Sequence, residues 1–157
     1  MKKLIISISC IFWLGFIFLN SSQTGNISHE RSMKFVNNIL KRIFQNSNFN
    51  TSQLDMIARK CAHGFEFMIL AVILVILFTL IKVSRVNAVI YSLFIVILIA
   101  TFDETLQLFI EDRTSRVTDI LIDFSGGIIG AILTEIFYSL LKCIKKRKDW
   151  ISWYVDN

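Results

Sequence analysis

Four long apolar stretches alternate with shorter polar ones along the 157 residues. The first runs from Leu4 to about Leu19, the second from about Cys61 to Ile81, the third from about Val86 to Ile110 and the fourth from about Asp119 to Leu141. A helix crosses the hydrocarbon of a bilayer with roughly 17–25 residues, so each stretch is long enough, the first only just. A spanning segment must satisfy its own backbone polar groups, which makes these elements helices. The expected fold class is therefore all-α, an integral membrane bundle of four transmembrane helices. Between the first two spans, Met33, Val36, Ile39, Leu40, Ile43 and Phe44 recur at helical spacing with Lys34, Lys41 and Arg42 largely between them, which predicts an external amphipathic helix. Such a helix either lies on the membrane surface or packs over the mouth of the bundle. Asn46 to Ser52 reads as a turn, and Ser52 with Asp55 three residues on as a capping box opening the second span. In the fourth span Gly126 and Gly130, repeated by Gly127 and Ala131, are spaced for close helix packing.

Composition agrees with that class: 54% of residues are hydrophobic and none is proline, unlike an ordinary soluble domain. The net charge of +5 changes the picture only after its placement is considered. Lys2 and Lys3, Lys82 and Arg85, and Lys142 with Lys145 to Lys148 flank the spans, where they act as topology signals and contact anionic membrane lipid; nucleic acid is not an expected partner. An even number of spans puts these flanks on one side, the cytoplasmic one by the positive-inside rule. The expectation is a multi-pass protein of the cell membrane with both termini cytoplasmic and the segment from Asn20 to Arg59 external. That loop carries Arg31, Lys34, Lys41 and Arg42, which a surface helix would hold at the outer headgroups. Asn20-Ser21-Ser22 is a poor cleavage site, so the first span is expected to be retained. Cys10, Cys61 and Cys143 are odd in number and would sit at different depths, which points to neither a disulfide framework nor a zinc site. Glu135 would either snorkel or pair with Lys82 or Arg85, and Trp150, Trp153 and Tyr154 would either rest at the inner interface or lie in a soluble tail.

Three spans carry ionisable residues: His63 and Glu66, Asp103 and Glu104, then Asp119 and Asp123. A charge in hydrocarbon costs a few kcal/mol or more, so such residues face a protein interior or a watery cavity and mark a functional site. At 1.5 Å per residue Glu66 lies about 10 Å along its helix from Arg59, Asp103 about 12 Å from Glu111, and Asp123 about 6 Å from Asp119. All fall in the same, outer half of the membrane. Arg59, His63 and Glu66 share one stripe, and Asp103 with Gln107 and Asp119 with Asp123 are each one turn apart. Together with Lys60, and with Arg113 and Arg116 at the rim, they describe one polar pocket open to the outside.

Ser21-Ser22-Gln23, Arg59-Lys60-x-x-His63-x-x-Glu66, Asp103-Glu104-x-x-Gln107, and Arg113 followed by Asp119-x-x-x-Asp123 and Gly126-Gly127, in this order at span ends, resemble the VanZ-like family from about Phe18 to Ala131. The resemblance implies one small multi-helix membrane domain over residues 1–157, and its namesake is associated with resistance to the glycopeptide teicoplanin. The chain departs from the usual pattern at Glu111-Asp112, where proline-glycine commonly precedes the arginine, and at Phe67, where tyrosine is frequent.

Three uses of the pocket remain open on these residues. It could hold a lipid-linked cell-wall intermediate or another surface component. It could be the active site of a hydrolase or transferase acting on a lipid, with His63 as general base, Glu66 or Asp103 orienting it and Arg113 stabilising an oxyanion or phosphate; His63, Glu66 and two aspartates would also suit a divalent metal such as magnesium, manganese or zinc. Or the carboxylates pair with Arg59, Lys60, Arg113 and Arg116 in a network that only fixes helix register.

Overall fold

The computed structural model describes residues 1–40 and 50–156. Among them, four helices are long and apolar enough to cross a membrane: α1 (Lys2–Ser21), α3 (Thr51–Leu80), α4 (Arg85–Gln107) and α5 (Val117–Asp156). A shorter helix, α2 (Gly25–Phe35), follows α1 and runs into a π-helical turn, Val36–Leu40. No strand occurs among the described residues.

The expected spans are all present, with shifted boundaries. α3 begins ten residues before Cys61 because Asn50 caps it: the Asn50 side chain accepts from the Gln53 backbone N–H at 2.8 Å, and Gln53 Oε1 accepts from the Asn50 N–H at 3.1 Å. The capping box is therefore Asn50 with Gln53, not Ser52 with Asp55. Asp55 is left to turn inward, where it is buried. α4 stops at Gln107, and Leu108, Phe109 and Ile110 close back onto carbonyls three residues earlier. The amphipathic helix starts at Gly25, well before Met33, and packs over the mouth of the bundle: His29 Nδ1 lies 2.8 Å from Asp55 Oδ2, and the Ser32 hydroxyl donates to the same carboxylate. Lys41, Arg42, Ile43, Phe44 and the expected turn at 46–49 lie outside the described residues.

Packing is inverted relative to a soluble protein. Ile17, Phe67, Leu70, Ala71, Leu74, Val96 and Ala100 form a narrow core, while Phe12, Phe94, Phe137 and Leu140 face outward. In lipid, outward apolar groups cost nothing, and helices associate through close van der Waals contact at small residues. The α3–α5 contact uses that device. A Cβ on Gly126 would fall 2.0 Å from the Gly64 carbonyl oxygen, and one on Gly130 would fall 2.2 Å from that of Met68, so only glycine lets these two backbones touch. Phe67, in the position where tyrosine is frequent, is wholly buried in this core.

Successive helices alternate in direction, so the C-terminal ends of α1 and α4 meet the N-terminal ends of α3 and α5 at one end of the bundle. The chain termini belong to the other end. There Arg85 pairs with Glu135 at 3.8 Å, as expected of Glu135, and stacks over the Tyr138 ring. The three cysteines are free thiols; Cys10 is buried and the other two are exposed.

Candidate functional site

At the end away from the termini, polar side chains from all four long helices converge. The Ser21 hydroxyl, on the last turn of α1, donates to Asp103 Oδ2 at 2.6 Å, and Gln107 Nε2, one turn on from Asp103 in α4, donates to the same oxygen at 3.1 Å. Arg113 then spans from α4 to α1: Nη1 donates to Gln107 Oε1 at 3.4 Å and Nε to the Gln23 carbonyl at 3.2 Å. This chain explains why Ser21 and Gln23 belong with Asp103 and Gln107, since one hydrogen-bonded run ties the end of the first span to the end of the third. On α3, Glu66 accepts from Asn20 Nδ2 at 2.8 Å, and its backbone carbonyl accepts from Trp13 Nε1 at 2.9 Å. Lys60 pairs with Asp119 between α3 and α5, and the Arg116 backbone N–H donates to Glu104.

All ten residues singled out in the sequence lie at this end. Arg59, Lys60, His63, Glu104, Gln107, Arg113, Asp119 and Asp123, with Arg116, line a polar chamber of about 200 Å³. Asp103 is wholly buried beneath it, and Glu66 lies to one side. One ligating atom from each of His63, Asp103 and Asp123 falls within 4.8 Å of the others, bringing α3, α4 and α5 to one point. Glu66 stands next to this group, with Oε2 at 4.0 Å from His63 Nδ1. A second cavity of about 750 Å³ adjoins the chamber between α2 and α3. Phe35, Leu54, Ile57 and Phe65 make its walls apolar, and it shares Arg59, His63 and Arg113 with the chamber.

Ion pairing is partial. Arg59 Nη2 is 3.3 Å from Asp55 Oδ2, and Lys60 is matched to Asp119, but among the described residues no Lys or Arg pairs with Asp103 or Asp123. Asp103 Oδ1, His63 Nδ1 and Glu66 Oε2 are buried without a hydrogen-bond partner. Burial, and secondarily the positive charge of Arg59, draws the Arg113 guanidinium below its usual pKa; a guanidinium starts so high that it stays charged. It is thus a poorly hydrated cation at the chamber rim, and a strong attractor for an anion.

Several residues here were not expected from the sequence. Asn20 bonds into the site, and His29, Ser32 and Asp55 tie α2 to α3 beside it, yet Asn20 reads as an ordinary span end and Asp55 as a helix cap. Their signal is tertiary, because His29 and Asp55 meet only once α2 folds back on α3. The departure at Glu111-Asp112 has a local answer. Asp112 takes the left-handed conformation, with φ 58°, that a turn glycine would take, and aspartate tolerates it better than most residues. Asn26 Nδ2 donates to its carboxylate at 2.8 Å, and the Gly25 N–H to the Glu111 carbonyl at 3.2 Å, so the turn also anchors the start of α2.

No curated protein and no solved structure matches the chain. The family described as VanZ/LLP1 matches residues 6–138, an interval that begins inside α1, ends at Tyr138 and contains every residue of the polar end. On that match, which takes in most of its length, the chain belongs to the VanZ/LLP1 family.

Proposed function

We propose that this protein binds an anionic, lipid-linked component of the cell envelope, with the anion in the polar chamber and the chain in the adjoining groove, and that binding there gives tolerance to teicoplanin. The observation that carries the reading is the sharing of Arg59, His63 and Arg113 by a polar chamber and a larger apolar groove. A ligand with a charged head and an apolar tail matches two such compartments joined at a cationic edge, because each part is desolvated against its own kind. The lysine and arginine flanks at the opposite end support cytoplasmic termini and hence a chamber facing outward, the side from which a glycopeptide arrives. The family's namesake supplies the antibiotic.

The test is expression in a sensitive bacterium. Tolerance to teicoplanin should rise, Glu66→Gln and Arg116→Gln should remove the rise at unchanged protein abundance, and replacing Lys145 and Lys146 at the far end should matter much less. Unchanged tolerance with well-inserted protein, or far-end variants as defective as Glu66→Gln, would overturn the reading.

A second reading adds chemistry at the same ligand and is favoured by the place of His63, beside Glu66 and under the cationic rim, where a general base would reach a bound phosphate ester. Its mark would be turnover of the bound lipid that His63→Gln abolishes.

A further inference from the structure

We infer that His63, Asp103 and Asp123 hold a divalent transition-metal ion, of the manganese to zinc range, at the floor of the polar chamber. This goes beyond the lipid reading and stands without it.

The geometry comes first. Ligand atoms bound to one ion at about 2.0–2.2 Å stand roughly 3–4 Å apart, and the three donors lie within 4.8 Å of one another before any ion draws them in. Each comes from a different helix, so the closeness is set by the packing of α3, α4 and α5 rather than by sequence neighbourhood.

The charge balance points the same way. Two buried carboxylates this close repel strongly in a medium of low dielectric constant unless a cation, or a proton on one of them, relieves them. Among the described residues no Lys or Arg ion pair reaches either one, and no hydrogen bond joins Asp103, Asp123 and His63 to one another, so the space between them is open to a cation. Two of the nearby cations are matched to other carboxylates, Arg59 to Asp55 and Lys60 to Asp119, and Arg113 is held at the rim by Gln107 and the Gln23 carbonyl, without an ion pair to Asp103 or Asp123. Asp103, wholly buried, keeps Oδ1 without a partner.

The surroundings are those a metal site needs. Ser21 and Gln107 both donate to Asp103 Oδ2, which fixes the carboxylate and leaves Oδ1 available. A metal-bound imidazole ordinarily gives its second N–H to a carboxylate, and His63 Nδ1 has unpartnered Glu66 Oε2 4.0 Å away, which assigns Nε2 to the ion. One imidazole with two carboxylates favours manganese or zinc over magnesium or calcium, which take oxygen ligands alone. Three protein ligands leave positions open towards the chamber, where an anion's oxygen can complete the coordination.

The experiment uses the full chain purified in detergent without added lipid. Protein from cells supplied with both metals should carry about one equivalent of manganese or zinc by elemental analysis. After stripping with a chelator, the monodisperse, helical protein should rebind Mn²⁺, followed by the loss of its free-ion electron paramagnetic resonance signal. Asp123→Asn, close to isosteric, should weaken rebinding at least tenfold. Ser21→Ala should weaken it about tenfold with the stoichiometry kept, as expected of a residue that orients a ligand. Glu135→Gln, at the opposite end of the bundle, should leave it unchanged. Wild-type protein that is helical and monodisperse yet binds neither Mn²⁺ nor Zn²⁺, or Asp123→Asn that binds like wild type, would overturn the proposal. Because no lipid is present, failure here is distinguishable from failure of the lipid reading.

Discussion

The two halves of the bundle use the same helices for opposite purposes. Towards the termini, α3 and α5 touch through Gly130 and Met68 and the core is aliphatic; the one ion pair described there, Arg85 with Glu135, is part-exposed. Towards the other end the same helices carry His63, Glu66, Asp119 and Asp123, and cavities open beside the Gly64–Gly126 contact. Membrane helices need no buried charge to associate, since packing at small residues is enough, as the first half demonstrates. The polar half therefore costs stability that the fold does not require, a cost that the proposed binding role would account for. A network serving only register would pair its charges, whereas here Asp103 and Asp123 form no ion pair with a lysine or arginine among the described residues.

That contrast can be broken at three points. The largest effect is expected in the packed half of the α3–α5 contact. Gly130→Val would drive carbon into the Met68 carbonyl, costing about 3 kcal/mol or more, and membrane abundance should collapse together with function. Wild-type abundance would mean that the helices do not approach as described. Next, Asp103→Ala strips Ser21 and Gln107 of their common acceptor, and thermal unfolding in detergent should show a loss of about 2 kcal/mol. Asp123→Asn should cost far less, because no hydrogen bond to Asp123 is described; equal losses would make the two carboxylates one structural unit and weaken the site reading. The smallest effect belongs to the other half. Glu135→Gln breaks a part-exposed pair and should cost less than about 1 kcal/mol, with tolerance to teicoplanin untouched.

The sequence was legible where a local rule governs it. Four spans follow from length and apolarity, the close contact of the fourth from Gly126 and Gly130, and the gathering of polar residues at one end of the bundle from ionisable residues at matching depth on three helices. Boundaries were less legible because polar caps compete. Ser52 and Asp55 have capping spacing, yet Asn50 with Gln53 wins, since Asp55 gains more from His29, Ser32 and Arg59 than from a helix end. The apolar groove was invisible for a related reason. Its walls come from α2 and α3, and nothing in Phe35, Leu54 or Ile57 taken singly says that they will enclose a space together. Nor did depth arguments predict which donors converge: His63, Asp103 and Asp123 come within 4.8 Å of one another, while Glu66 turns to Asn20.

The central claim, that the polar half is a binding site for a lipid-borne anion, is tested most directly by comparing a polyprenyl phosphate with the polyprenol of the same chain length, each titrated into the purified protein and followed by tryptophan fluorescence, with Trp13 bonded to the Glu66 carbonyl as a nearby reporter. The phosphate should bind at least about tenfold more tightly, and Arg113→Gln should remove most of that margin, since a charge-assisted hydrogen bond contributes about 1.5–3 kcal/mol. Equal binding of the phosphate and the alcohol, or a margin that survives Arg113→Gln together with Arg59→Gln, would contradict the account.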